Sequence, residues 1–163
     1  VKSISVSLYT AGTQAVTISD SVNSAVTVTQ TGIVVTSAAA ASVSMTTLVS
    51  TTAGVAQSFT ITVRDAYGNA ATSYRGTLNF TSTDTKAALP AAYTFTAADA
   101  GTHTFSLTFK TAGGQTVTVA DSVNPLLTVT QKDLPISPAA VADRKSTRLN
   151  SSHIPLSRMP SSA

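Results

Sequence analysis

A 21-residue block recurs in this chain at a spacing of 101 residues. Residues 10–30 read TAGTQAVTISDSVNSAVTVTQ and residues 111–131 read TAGGQTVTVADSVNPLLTVTQ, with 14 of 21 positions identical and no gap. A fixed period marks a unit used in series. A period of this length is too long for a solenoid repeat and suits one self-contained domain per unit. The spacing therefore predicts four parts. Residues 1–36 are the C-terminal part of one repeat, 37–136 a complete repeat, 137–142 the start of a next repeat, and 143–163 a tail of different character.

That tail resembles a translated sequencing adapter. DRKSTRLNSSH back-translates to the start of a common short-read adapter and SRMPSSA to its continuation, with Ile154, Pro155 and Leu156 filling an index-sized gap. Such a scar belongs outside fold reasoning. It also marks the chain as a fragment of metagenomic type, and its polar, Ser-rich composition predicts disorder. Without it, six cations (Lys2, Arg64, Arg75, Lys86, Lys110, Lys132) face six Asp, so the formal charge falls from +3 to zero. No basic patch is left to argue for nucleic acid or an anionic membrane.

The remaining residues hold no Cys, Trp or Glu and are rich in Thr, Ser, Val and Ala. β-Branched and small residues at this density favour strands. No apolar run is long enough for a membrane-spanning helix. Without Cys, disulfides and thiolate metal sites are excluded alike.

Residues 42–131 show short alternating runs broken by turn chemistry, the pattern of an antiparallel β-sandwich of about seven strands. Ser42–Leu48 is a first strand, with Val43 and Met45 on one face. Ser58–Asp65 alternates strictly, Phe59, Ile61 and Val63 inward against Thr60, Thr62 and Arg64 outward. Asp65-Ala66-Tyr67-Gly68-Asn69 supplies a turn. Ser73–Ser82 resumes the alternation with Leu78 and Phe80 inward. Pro90 stops a central strand, and Tyr93–Thr96 is a short one. His103–Lys110 places Phe105, Leu107 and Phe109 inside, Thr111–Gln115 turns, and Thr116–Val119 returns. With no disulfide available, Phe105 is expected to fill the core near Ile61. Residues 1–36 lack an opposing sheet, so they are expected to form a hairpin with exposed edges.

Asp99-Ala100-Gly101-Thr102-His103-Thr104-Phe105 is similar to the Asp-x-Gly-x-Tyr-x-Cys stretch that leads into strand F of immunoglobulin domains, with His103 at the Tyr position and Phe105 at the Cys position. Together with VRDAYGNAATSYRGTLNFTS, the repeat resembles the Ig-like tandem repeats of large bacterial secreted and surface proteins. Within that group it resembles the invasin/intimin type and, more loosely, filamin repeats. The resemblance implies all-β, Ig-like sandwich modules acting as spacers or adhesive stalks, with neighbouring repeats of the same chain as partners and an extracellular or cell-surface location.

No motif supplies chemistry. His103 is the only histidine outside the tail, and no second His or any Cys joins it for zinc. No Gly-x-Ser-x-Gly elbow appears, and six scattered Asp do not make a paired-carboxylate site. Asp65, Asp84 and Asp99 lie near loops where calcium could sit between modules, but the clustered spacing of a calcium loop is missing. Asp65 suits a turn cap. Asp121-Ser122-Val123-Asn124 repeats Asp20-Ser21-Val22-Asn23, as a turn common to all modules would. Asn79-Phe80-Thr81 matches a glycosylation sequon by pattern alone. The expectation is a non-catalytic module with no catalytic, metal or cofactor residues. The alternative is an accessory, carbohydrate-binding domain of a secreted polysaccharide-degrading enzyme, against which stands the scarcity of loop aromatics: only Tyr67 and Tyr74 qualify.

Overall fold

The structure, a computed structural model, describes residues 3–140; the tail and the last residues of the expected next repeat lie outside them. The described residues form ten strands and no helix. β1 (Gly12–Ser19) and β2 (Thr27–Val35) make an isolated antiparallel hairpin. β3 (Ala40–Met45), β5 (Ala56–Asp65) and β8 (Thr102–Thr108) form one sheet in the order β3-β5-β8. β4 (Thr51–Thr52), β10 (Thr128–Ser137), β9 (Gly113–Asp121), β6 (Thr77–Ser82) and β7 (Tyr93–Thr94) form the other, in the order β4-β10-β9-β6-β7. All pairings are antiparallel except the short β4–β10 contact. The protein is an all-β antiparallel sandwich.

Alternation builds the core. In β5, Phe59, Ile61 and Val63 are buried while Arg64 is exposed, and in β8 Phe105 and Leu107 are buried between exposed Thr104 and Ser106. Leu78, Val117, Val119, Leu134 and Ile136 face them from the second sheet. Burying each such side chain contributes about 1.5–3 kcal/mol.

The structure refines the sequence reading at four places. The strand expected from Ser73 starts only at Thr77, because Tyr74 N–H closes a turn onto Ala71 O and the Tyr74 hydroxyl reaches inward to the Asp121 carboxylate. Phe105 lies directly opposite Phe59, and Ile61, the next inward residue of β5 and part of the same core, pairs with His103. The closing strand runs through Ser137, which pairs with Thr52.

The fourth corrects the strand F reading. The stretch Asp99–Phe105 feeds β8, which pairs with β5 in the three-stranded sheet. Immunoglobulin strand F belongs to the other sheet, between C and G. That place is held by β9, between β6 and β10.

Candidate functional site at the junction of hairpin and sandwich

The turn after β5 is shaped by one carboxylate. Asp65 Oδ1 accepts from Tyr67 N–H and Asn69 N–H, both at 2.9 Å, and Asp65 Oδ2 accepts from Asn69 Nδ2 and Ala38 N–H, also at 2.9 Å. Gly68 takes φ +86° at the apex, a backbone state that favours glycine. Burial pushes the Asp65 carboxyl up in pKa. The Asn69 side chain and the Ala38, Asn69 and Tyr67 amides outweigh it and hold the group at about 2. All this fixes Asn69, and Asn69 reaches across to the hairpin. Its Nδ2 donates to Tyr9 O at 2.8 Å, and its Oδ1 accepts from Ala11 N–H at 3.0 Å. Tyr67 packs on Tyr9, ring centroids 4.7 Å apart. The connector is tied down too, since Ser37 and Thr72 exchange hydrogen bonds at 3.1 Å. The junction thus joins segments about sixty residues apart in sequence through a carboxamide that mimics a strand partner.

The other acidic residues are also engaged by protein donors. Asp84 takes the N–H groups of Lys86, Lys110 and Thr111 and the Thr111 hydroxyl. Burial opposes its ionisation, but these donors, the Thr111 hydroxyl first, hold it at about 2. Asp99 is drawn well below the usual carboxylate range by Thr96 N–H and Oγ1, with help from His103 and Tyr93. His103 Nδ1 lies 2.6 Å from Asp99 Oδ1, and its ring stacks on Tyr93 at 4.1 Å. Asp121 binds the Tyr74 hydroxyl and the amides of Val123 and Asn124. Asp65, Asp84 and Asp99 cap three different turns. Among the described residues no three His or acidic side chains gather as metal ligands. Of the two loop tyrosines, Tyr74 is buried and Tyr67 is committed to Tyr9.

A second feature is the open face of the hairpin. A concavity of about 340 Å³ is lined by Ile18, Ser19, Asp20, Val26, Thr27 and Val28. Ile18 is 50% exposed and Val26 59%, whereas the residues 101 positions on, Val119 and Leu127, are 0% and 3% exposed. The difference has a simple cause. Val119 and Leu127 have a facing sheet, and the hairpin has none. Ile4, Val6 and Leu8 form no strand for the same reason: β8, 101 residues on, pairs with β5, and among the described residues nothing plays the part of β5 for them.

No protein-family profile and no curated protein sequence matches the chain. Among solved structures it is similar to surface layer protein SbsC, domains 1–6, at 20% identity and a TM-score of 0.44, covering 79% of this chain and 17% of that one. It is likewise similar to domains 4 and 5 of the S-layer protein SbsC, at 21% identity and a TM-score of 0.42, covering 70% of this chain and 59% of that one.

Proposed function

We propose that this chain is part of a tandem array of Ig-like sandwich modules serving as a non-catalytic spacer or adhesive stalk in an extracellular or cell-surface bacterial protein. One observation carries the reading: the turn and cross-strand hydrogen bonds of the hairpin recur 101 residues later. Asp20 Oδ1 accepts from Val22 and Asn23 N–H at 2.8 and 2.7 Å, and Asp121 Oδ1 from Val123 and Asn124 at the same distances. Thr17 and Thr29 hydroxyls pair at 2.9 Å, as do Thr118 and Thr130. Gly12 pairs with Val35 and Gly113 with Ile136, and both ladders slip at the same point. Positive φ occurs there at Gly32 in one copy and Asp133 in the other. In this reading the hairpin is the closing part of a second sandwich.

The sheet order supports the Ig-like assignment. Lettered in chain order, β3, β5 and β8 take the places of A, B and E, and β6, β9 and β10 those of C, F and G. In this reading the neighbouring modules are the partners, and Asn69 sets the angle between them.

Completion of the first module tests the proposal. Placing a copy of residues 37–101 directly before Val1 restores the repeat spacing. The extended chain should unfold with roughly 0.7 kcal/mol of added enthalpy per newly ordered residue, and the amides of β1 and β2 should become as protected as those of β9 and β10. An extension that stays unfolded, with hairpin exchange unchanged, would refute the modular reading.

A further inference from the structure

Resting on that modular reading, we propose that the exposed loop Lys110–Gly113 is the docking site for the Asp-x-Tyr-Gly-Asn turn of a following copy of this module. In this arrangement the asparagine side chain seats between Lys110 C=O and Ala112 N–H. The upstream loop shows the occupied state: Tyr9 C=O and Ala11 N–H, 101 residues before Lys110 and Ala112, are both bonded to the Asn69 carboxamide. The two loops have one shape. Both read Thr-Ala-Gly. Gly12 and Gly113 have φ +117° and +115°, and Gln14 and Gln115 each donate back to the loop threonine's carbonyl at 3.3 Å. In the downstream loop Lys110 and Ala112 are exposed, and Lys110 C=O and Ala112 N–H have no hydrogen-bond partner among the described residues.

The connector sequence repeats as well, Thr36-Ser37-Ala38-Ala39 against Ser137-Pro138-Ala139-Ala140. A following module would therefore reach the loop over the same length of chain. Two positions change character: Pro138 replaces Ser37, so the bonds of the serine hydroxyl to Thr72 have no counterpart, and the tyrosine of the receiving loop, Tyr9, is replaced by Lys110. Lys110 lays an alkyl stem and ammonium on the incoming tyrosine ring instead of a second ring, a cation–π contact in place of an aromatic pair. The occupant is a following module in the same chain. A second, separate chain is disfavoured because the Asp-x-Tyr-Gly-Asn turn of each copy is already seated on its own Tyr9 loop.

The test is a tandem chain in which residues 1–137 run directly into a second copy of residues 37–137, which keeps the 101-residue spacing. Hydrogen exchange at the Ala112 amide should slow at least about tenfold relative to the single chain, as for an amide that exchanges only by local opening. Asn69→Ala in the second copy alone should restore fast exchange, while Ile61 of that copy stays protected. Unchanged Ala112 exchange beside a protected second-copy Ile61 overturns the docking proposal and leaves the module intact. An unprotected second-copy Ile61 overturns the modular reading, and this inference with it.

Discussion

Truncating Phe105 tests the sandwich at an aromatic cluster that bridges its two sheets. Its ring lies 5.8 Å from that of Phe59, 4.8 Å from Phe80, 5.4 Å from Tyr93 and 4.7 Å from His103, and only 7% of the residue is exposed. Phe105→Ala removes a buried ring and leaves a cavity walled by both sheets. Such changes cost about 3–5 kcal/mol. The site cannot easily collapse, because the β8 backbone is held to β5 from Ala56–Thr108 to Thr62–Thr102. Aromatic pairs add about 0.5–1.5 kcal/mol beyond burial, which moves the expectation to the upper part of the range. Thr104→Ala, one residue away, removes an exposed hydroxyl whose bond to Thr60 Oγ1 is 2.9 Å. A cross-strand pair of that kind contributes about 0.2–1 kcal/mol. Urea unfolding of the two variants separates them: with a slope of about 1–3 kcal/mol/M, Phe105→Ala should lower the midpoint by at least about 1 M and Thr104→Ala by a small fraction of that. Equal, small shifts would refute the placement of Phe105 between the sheets.

Two further outcomes follow from the turns. Asp65 and Asp84 are held at about 2 against an ordinary 3.8; a depressed native pKa means stability that is fully present above the unfolded value and is lost as pH falls from about 4 through 2. The melting temperature should drop across that window, Asp84→Asn should cost stability at pH 5 while flattening the drop, and a flat profile from pH 5 to 2 would contradict the turn geometry. Gly101 has φ +81°, and an added Cβ would lie 2.8 Å from Ala71 O, so Gly101→Ala should destabilise by more than about 1 kcal/mol in calorimetry, whereas a neutral or stabilising result would place the β7–β8 turn differently.

The parts legible in the sequence are those that local pattern decides. Strict alternation gave Phe59, Ile61 and Val63 their inward faces, and Asp65 with Gly68 announced the turn that follows. The start of β6 was illegible because Ser73–Thr77 alternates like a strand. Its backbone instead bends so that the Tyr74 hydroxyl can meet Asp121, a partner 47 residues away. Strand identity failed for β8 in the same way, since Asp-x-Gly-x-His-x-Phe specifies a turn into a strand but not the sheet that strand joins. The junction was invisible for a related reason. Nothing in Asn69 distinguishes a carboxamide that bonds its own turn from one that also bonds Tyr9 and Ala11. The available signal was the recurrence of Thr-Ala-Gly, which marks the receiving loop in both copies.

Asn69 is one instance of a wider solution. A chain without Cys has no covalent staples, and among the described residues no Lys or Arg lies within salt-bridge distance of an Asp. Beside the turns capped by Asp, two irregular segments are held by carboxamides bonded at both ends to backbone. Gln131 accepts from Leu48 N–H at 2.8 Å and donates to Leu48 O at 2.7 Å, holding the segment between β3 and β4 against β10. Gln57 does the same for Val49, at 3.3 and 2.9 Å. Gln30, 101 residues before Gln131, has no such segment to hold and donates to Thr31 O instead. The device within the sandwich and the device at its junction with the hairpin are therefore the same. Each satisfies one backbone donor and one acceptor that a sheet edge would otherwise leave to solvent. Being uncharged, neither is weakened by ionic screening. A sandwich that holds its own loops this way needs only one more asparagine to hold the hairpin.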